Sequence, residues 1–258
     1  MKRRTIVRGT GIAGIAAAAA YAVSDVLLLG RRTDPEQHPA LRGLEQVDKP
    51  LMPLLSMVPA PTRQLAAGAL LGVYATPLYL AAAWHIHQGL APAGPRRAVP
   101  PALLLAGGLA LTSFAHGSFF HIGRAYQDLE ALDGDPEVRQ RLLATAEAFE
   151  QATVSAYIPL GAATAAASVL ILDTIRRGDT AYPRWSAPLI APLIPITAAT
   201  ALTTTKILPG RARYALQGAG VNLGTLVSLT ASTLLLWRNR KAGTARPSGD
   251  APKALAGS

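Results

Sequence analysis

Cysteine is missing from all 258 residues, which rules out disulfides, thiolate metal sites and iron–sulfur clusters. Charge is sparse: Asp, Glu, Lys and Arg make up 16% of the chain, where soluble domains carry nearer a quarter. Aromatic residues are 5% and are not interleaved with the basic ones. The net charge of +10 therefore forms no stacking-and-phosphate surface for nucleic acid. The five histidines include no His-x-x-x-His pair. Those in the outer half of the apolar segments share one segment and those in the inner half share another, so a bis-histidine haem has no facing ligands. The glycines of GTGIAGIA follow no strand, and a nucleotide loop has no context there.

What the chain has in quantity is apolar sequence, half of all residues, gathered into runs near the roughly 20 residues that cross a hydrocarbon core. Six spans emerge, at about 10–29, 65–85, 101–123, 152–172, 186–205 and 216–237. Backbone groups in lipid must be satisfied within the segment, so each span is expected to be a helix. The fold class is an all-α integral membrane bundle of six helices, with 10–237 as the membrane domain. Residues 1–9 form a basic N-terminus and 241–258 a disordered tail rich in Gly, Pro, Ser and Ala. The short basic loops AGPRRAVP and IRRGDTAYPR put both chain ends on the cytoplasmic side of a cell membrane, as a multi-pass protein. The start, MKRRTIVRG ahead of AAAAAYAVSD, also has the pattern of a twin-arginine leader. Five later spans, and apolar sequence continuing to Leu29, favour an ordinary first helix.

Local signals refine this outline. Pro188, Pro192 and Pro195 predict a kinked fifth span. Asp135 before PEVRQRLLATAEAFEQA predicts an N-cap and a helix running into span four. PLMPLLSMVPAP is too short to cross and is expected at the outer interface or dipping into the bundle.

An ionisable group inside a bilayer is costly unless it works or is paired. At about 1.5 Å rise per residue, Asp25 lies about 8 Å outward of the midplane of its span and His116 about 6 Å. Tyr157 and Asn222 fall about 7 Å out, in the same layer. These four are the ligand-pocket candidates, with Asp25 and His116 as partners that share charge or a proton. His121, Glu147 and Glu150 are candidates for the mouth of that pocket. His85 and His87, beside Trp84, read as an inner-interface belt, and His38 as a solvated loop residue. Gly117 fits close helix packing or clearance for the His116 ring. No second polar layer is read toward the inner face.

Three function classes follow. The first is an outward-facing intramembrane pocket around Asp25 and His116 that takes a lipid or small molecule. The second is a metal hydrolase: Ser24, Asp25, His116 and His121 resemble part of the alkaline-ceramidase superfamily pattern of Asp, several His and a nearby Ser around zinc. The six spans, and the lack of any histidine after residue 121, depart from that pattern, and no metal ligand set is assigned. The third is a proton-coupled carrier using the Asp–His pair. The sequence assigns no reaction, cofactor or oligomeric state. The segments YAVSDVLLLG, GALLGVYATPLYLAAAWHIHQGL and SFAHGSFFHIG resemble a family of uncharacterised bacterial polytopic membrane proteins defined only as a domain of unknown function. That resemblance implies a six-helix fold with Asp25 and His116 as notable positions, and no activity.

Overall fold

A computed structural model describes residues 2–38, 41, 54–132, 135–205 and 207–242. Eight helices account for most of them: α1 (Lys2–Leu29), α2 (Thr62–Leu90), α3 (Pro95–Ala131), α4 (Pro136–Arg177), α5 (Ala187–Ile190), α6 (Leu193–Thr204), α7 (Gly210–Leu216) and α8 (Gly220–Ala242). No strand occurs among the described residues. Five of these helices are long and apolar enough to cross a membrane, and a sixth crossing is completed if α5 and α6 count as one bent segment. The expected tail at 241–258 lies, from 243 on, outside the described residues.

Successive passes run antiparallel, as the contacts between their ends establish. The Gln217 side chain donates to the Leu29 carbonyl at 2.7 Å, so the loop before α8 meets the end of α1. The Gln64 amide, in the first turn of α2, donates to the Leu27 carbonyl at 2.6 Å. Both contacts satisfy carbonyls that α1 leaves unpaired at its C-terminus. At the other end, Arg8 lies over the Trp237 ring, and the Ala181 amide donates to the Gly89 carbonyl. The starts of α1 and α3 and the ends of α2, α4 and α8 therefore share one end of the bundle.

Local chemistry explains the boundaries. Asp135 caps α4, accepting from the amides of Glu137 at 2.9 Å and Val138 at 3.3 Å, and α4 then runs unbroken for 42 residues. Proline at 192 forces Ala191 into an extended conformation (ψ 103°), because a residue preceding proline is disfavoured in the helical region. The chain bends by 52° there. The backbone groups freed by the bend are not left bare: Ser168 Oγ accepts from the Leu193 amide at 3.0 Å, and Ser228 Oγ donates to the Ile190 carbonyl at 3.1 Å. The last long helix, α8, begins at Gly220, after a turn over 217–219, four residues later than the sequence suggests. The segment around Leu54–Met57 folds onto the end of the bundle as a short 3-10 turn. Met57 is fully buried there, and the Gln127 side chain donates to the carbonyls of Met57 and Ala60.

The core is divided. One apolar cluster, including Leu28, Leu65, Phe119 and Ile122, fills the end near Met57. A larger one, including Ala82, Ile86, Ile171 and Ile190, fills the end near the N-terminus. A polar layer lies at the junction between them.

Candidate functional site

The layer is assembled from α1, α2, α3 and α8. His116 Nε2 lies 3.2 Å from Asp25 Oδ1, and Asn222 Nδ2 donates to Asp25 Oδ2 at 2.7 Å. Tyr79 in turn donates its hydroxyl to Asn222 Oδ1 at 2.7 Å. His116 Nδ1 sits 3.2 Å from the Thr112 carbonyl of its own helix. Tyr21 completes the layer: its hydroxyl is shared with Thr76 at 2.6 Å and Thr112 at 2.7 Å. Its ring stacks on Tyr79 and meets His116 edge-on. Asp25 and His116 are each only 4% exposed.

Hydrogen bonding fixes the number of protons here. A carbonyl oxygen only accepts, so Nδ1 of His116 carries its hydrogen. One proton then lies between Nε2 and Oδ1, on the imidazole facing a carboxylate or on the carboxyl facing a neutral ring. The pair is neutral overall in both forms, which removes the cost of an isolated ion in lipid.

Of the four pocket candidates, Asp25, His116 and Asn222 are brought together. Tyr157 stands beside them without a hydrogen bond to the pair; it is half-buried on α4, its ring centre is 6.5 Å from that of Phe119, and its hydroxyl is close enough to interact electrostatically with Asp25 and Tyr21. The mouth candidates do not form a funnel over the pair. His121 is exposed and stacks on Phe149. Glu150 is buried and accepts the Tyr126 hydroxyl, and Glu147 is half-buried one turn earlier on α4. The space between that end and Asp25–His116 is occupied by Leu28, Leu65, Phe119 and Ile122, each at most 1% exposed.

Among the described residues, a cavity lies on the other side of the layer. With room for about 60 Å³ of water-sized guests, it has Tyr79, Asn222 and Thr112 in its wall and continues to Ala82, Ile86 and Leu229. The pocket anticipated from sequence faced the opposite way. The difference has a packing cause, since the large side chains of α3 beyond His116 close that end.

Two further expectations are revisited. Gly117 lies against α2, where beyond its chain neighbours a Cβ would meet Val73 at 3.6 Å; clearance for the imidazole comes from across that contact. That service is performed by Gly72, where a Cβ would lie 2.7 Å from His116 Cγ and Cδ2. His85 is no interfacial residue but is fully buried, with Nδ1 2.9 Å from the Val7 carbonyl and Nε2 3.5 Å from Thr233 Oγ1. With Ser232 and Tyr182, paired at 2.7 Å, it forms a second polar layer nearer the N-terminal end. His38 lies 3.3 Å from Glu130 near the opposite end.

Sequence reasoning missed Tyr79 and Gly72, and a signal for both existed. Gly68, Gly72, Ala75, Thr76 and Tyr79 recur at helical spacing and form one buried face of α2, whereas Tyr74, which lies nearer the midplane by depth alone, is 73% exposed.

A family model matches residues 1–239. The chain belongs to the family of unknown function DUF6796. No curated protein and no solved structure matches it. The family therefore supplies a boundary for the domain, and the chemistry has to come from the layer and its cavity. Among the described residues, no three His, Cys, Asp or Glu side chains are grouped closely enough to hold a metal ion.

Proposed function

We propose that this DUF6796 protein is a multi-pass cell-membrane protein that binds a lipid or small membrane-dissolved molecule in the cavity beside the Asp25–His116 pair. One observation carries the reading: Tyr79 and Asn222, the groups bonded in series to Asp25, also face the cavity. A bound molecule would touch the hydrogen-bond chain that ends at the pair. Apolar walls with a few convergent polar groups are the usual make-up of a ligand pocket. Six crossings with both chain ends cytoplasmic accord with the positive-inside rule, since Arg96, Arg97, Arg176, Arg177 and Arg184 lie at the bundle end where α1 begins.

The hydrolase alternative has less to rest on, because among the described residues His121 stands apart from the pair and no third His, Asp or Glu groups with it. The proton-coupled carrier gains one supporting observation. Asn222, Thr225, Ser228 and Ser232 follow one face of α8 toward His85, a polar continuation that such a path requires.

Native mass spectrometry of detergent-purified protein tests the binding reading. Wild type is expected to retain an adduct that Leu109→Trp, which fills the cavity, loses while keeping its thermal midpoint. Equal adducts on both proteins, or none on either even after lipid is added back, would end it.

A further inference from the structure

The chemistry and openings of the cavity say more about its occupant. None of the side chains lining it is charged: no Asp, Glu, Lys, Arg or His contributes to the wall. Asp25 and His116 form a neutral pair and lie behind Asn222 and Tyr79. A carboxylate, phosphate or ammonium in this space would lose its hydration without gaining a counter-charge, a cost of several kcal/mol.

The hydrogen-bonding capacity that faces the cavity is of a particular kind. Asn222 spends one amide hydrogen on Asp25 and has a second to donate. Thr225 and Ser228 donate to the Val221 and Ile190 carbonyls and keep lone pairs to accept with. The Thr164 hydroxyl, also in the wall, makes no hydrogen bond among the described residues. A head group that both accepts and donates matches this set, and a hydroxyl does both.

The shape gives the rest. The deep wall is buried, whereas Leu160 and Thr164 on α4 and Ile196 on α6 are half-buried, and Val221 on α8 is 46% exposed. The cavity therefore opens sideways between the α3–α4 pair and the α6–α8 pair, at a level where the surrounding solvent is hydrocarbon. A volume of about 60 Å³ holds a head and its first few carbons, a water needing roughly 10–15 Å³ on the same measure. The remainder of a longer molecule must project through the side opening.

We infer that the cavity takes the hydroxyl head of an uncharged long-chain alcohol, which enters laterally from the bilayer and leaves its tail between α4 and α6. This rests on the ligand-binding reading of the same cavity and narrows it to one chemical class. Tyr79 and Asn222 are then positioning residues for the head, held in turn by Asp25.

The test uses full-length protein in lipid nanodiscs, titrated with cetyl alcohol, palmitic acid and cetylamine, which share a chain length and differ in the head. Native mass spectrometry is expected to give saturable alcohol binding, with the acid and the amine weaker by roughly tenfold or more. Leu109→Trp abolishes the alcohol adduct, and Thr164→Val, an isosteric change at a half-buried site, weakens it several-fold. A tail-diazirine analogue of cetyl alcohol is expected to label Leu160, Ile196 or Val221 in wild type and not in Leu109→Trp. Tighter binding of acid or amine, still blocked by Leu109→Trp, would overturn the alcohol assignment and leave the pocket intact. Labelling that Leu109→Trp does not reduce would make the alcohol an annular lipid and overturn the inference. No saturable binding by any of the three, with no native adduct either, would remove both this inference and the pocket reading.

Discussion

At the scale of single residues, the hydrogen-bond count at Asp25 separates substitutions that look alike. Asp25→Asn retains an oxygen to accept from Asn222 and supplies a hydrogen to the unprotonated Nε2 of His116, so every polar atom stays satisfied. Its unfolding midpoint in detergent is expected within about 1 kcal/mol of wild type. His116→Ala instead faces a buried carboxyl with empty space and is expected to lose about 3 kcal/mol. Equal losses for both would show that the proton between the two side chains is not what holds them. The glycines provide a second contrast. Gly72→Ala drives a methyl against the His116 ring and is expected to cost about 1–3 kcal/mol, while Gly117→Ala, whose methyl would meet α2 at Val73 at an ordinary 3.6 Å, is expected to cost less. Thermal unfolding followed by intrinsic fluorescence reads both. Depth arithmetic made Asp25, His116 and Asn222 legible from sequence, because a helix rise converts position into height. It carries no information about azimuth, and for that reason it could not tell that Tyr157 stands beside the layer without bonding to the pair, or that His85 faces the bundle interior.

Among the elements, the bent α5–α6 segment shows how an apolar helical bundle tolerates broken helix. Ser168 bridges two elements: its hydroxyl donates to the Thr164 carbonyl on α4 and accepts from Leu193 at the start of α6. Ser168→Ala therefore leaves the Leu193 amide unpaired in an apolar setting, with an expected loss of about 1–3 kcal/mol and faster hydrogen exchange at Leu193. Unchanged exchange would mean that the amide has another partner. The three prolines made the bend readable in the sequence. The serines that compensate it were not readable, since a serine on α4 or α8 gives no hint of which backbone it will meet. The same limit applies to Gly224: it reads as a small packing residue, and only the fold shows that a Cβ there would lie 2.3 Å from the Ile196 Cα. The long apolar runs, the Asp135 cap and the continuity of α4 were legible because each is a local pattern.

For the whole molecule, the grouping of chain ends and basic loops gives a topological expectation. The first described residue and the end of α8 lie at the same end of the bundle, so reporters fused to the two termini are expected on the same, cytoplasmic face. Protease accessibility in oriented vesicles checks this, and opposite faces would reduce the bent pass to a re-entrant segment. The direction of the cavity was the least legible property of all. It depends on which end the large side chains of α3 and α2 fill, and that emerges only when four helices are packed together. The neutral proton-sharing pair has a further consequence. Moving a full charge through the membrane field is worth about 2.3 kcal/mol per 100 mV, and here neither the pair, taken as a whole, nor an uncharged guest beside it offers the field a net charge. On the proposed binding reading, occupancy of this cavity is expected to be insulated from membrane voltage, with an energised cell and a depolarised one presenting it with the same binding problem.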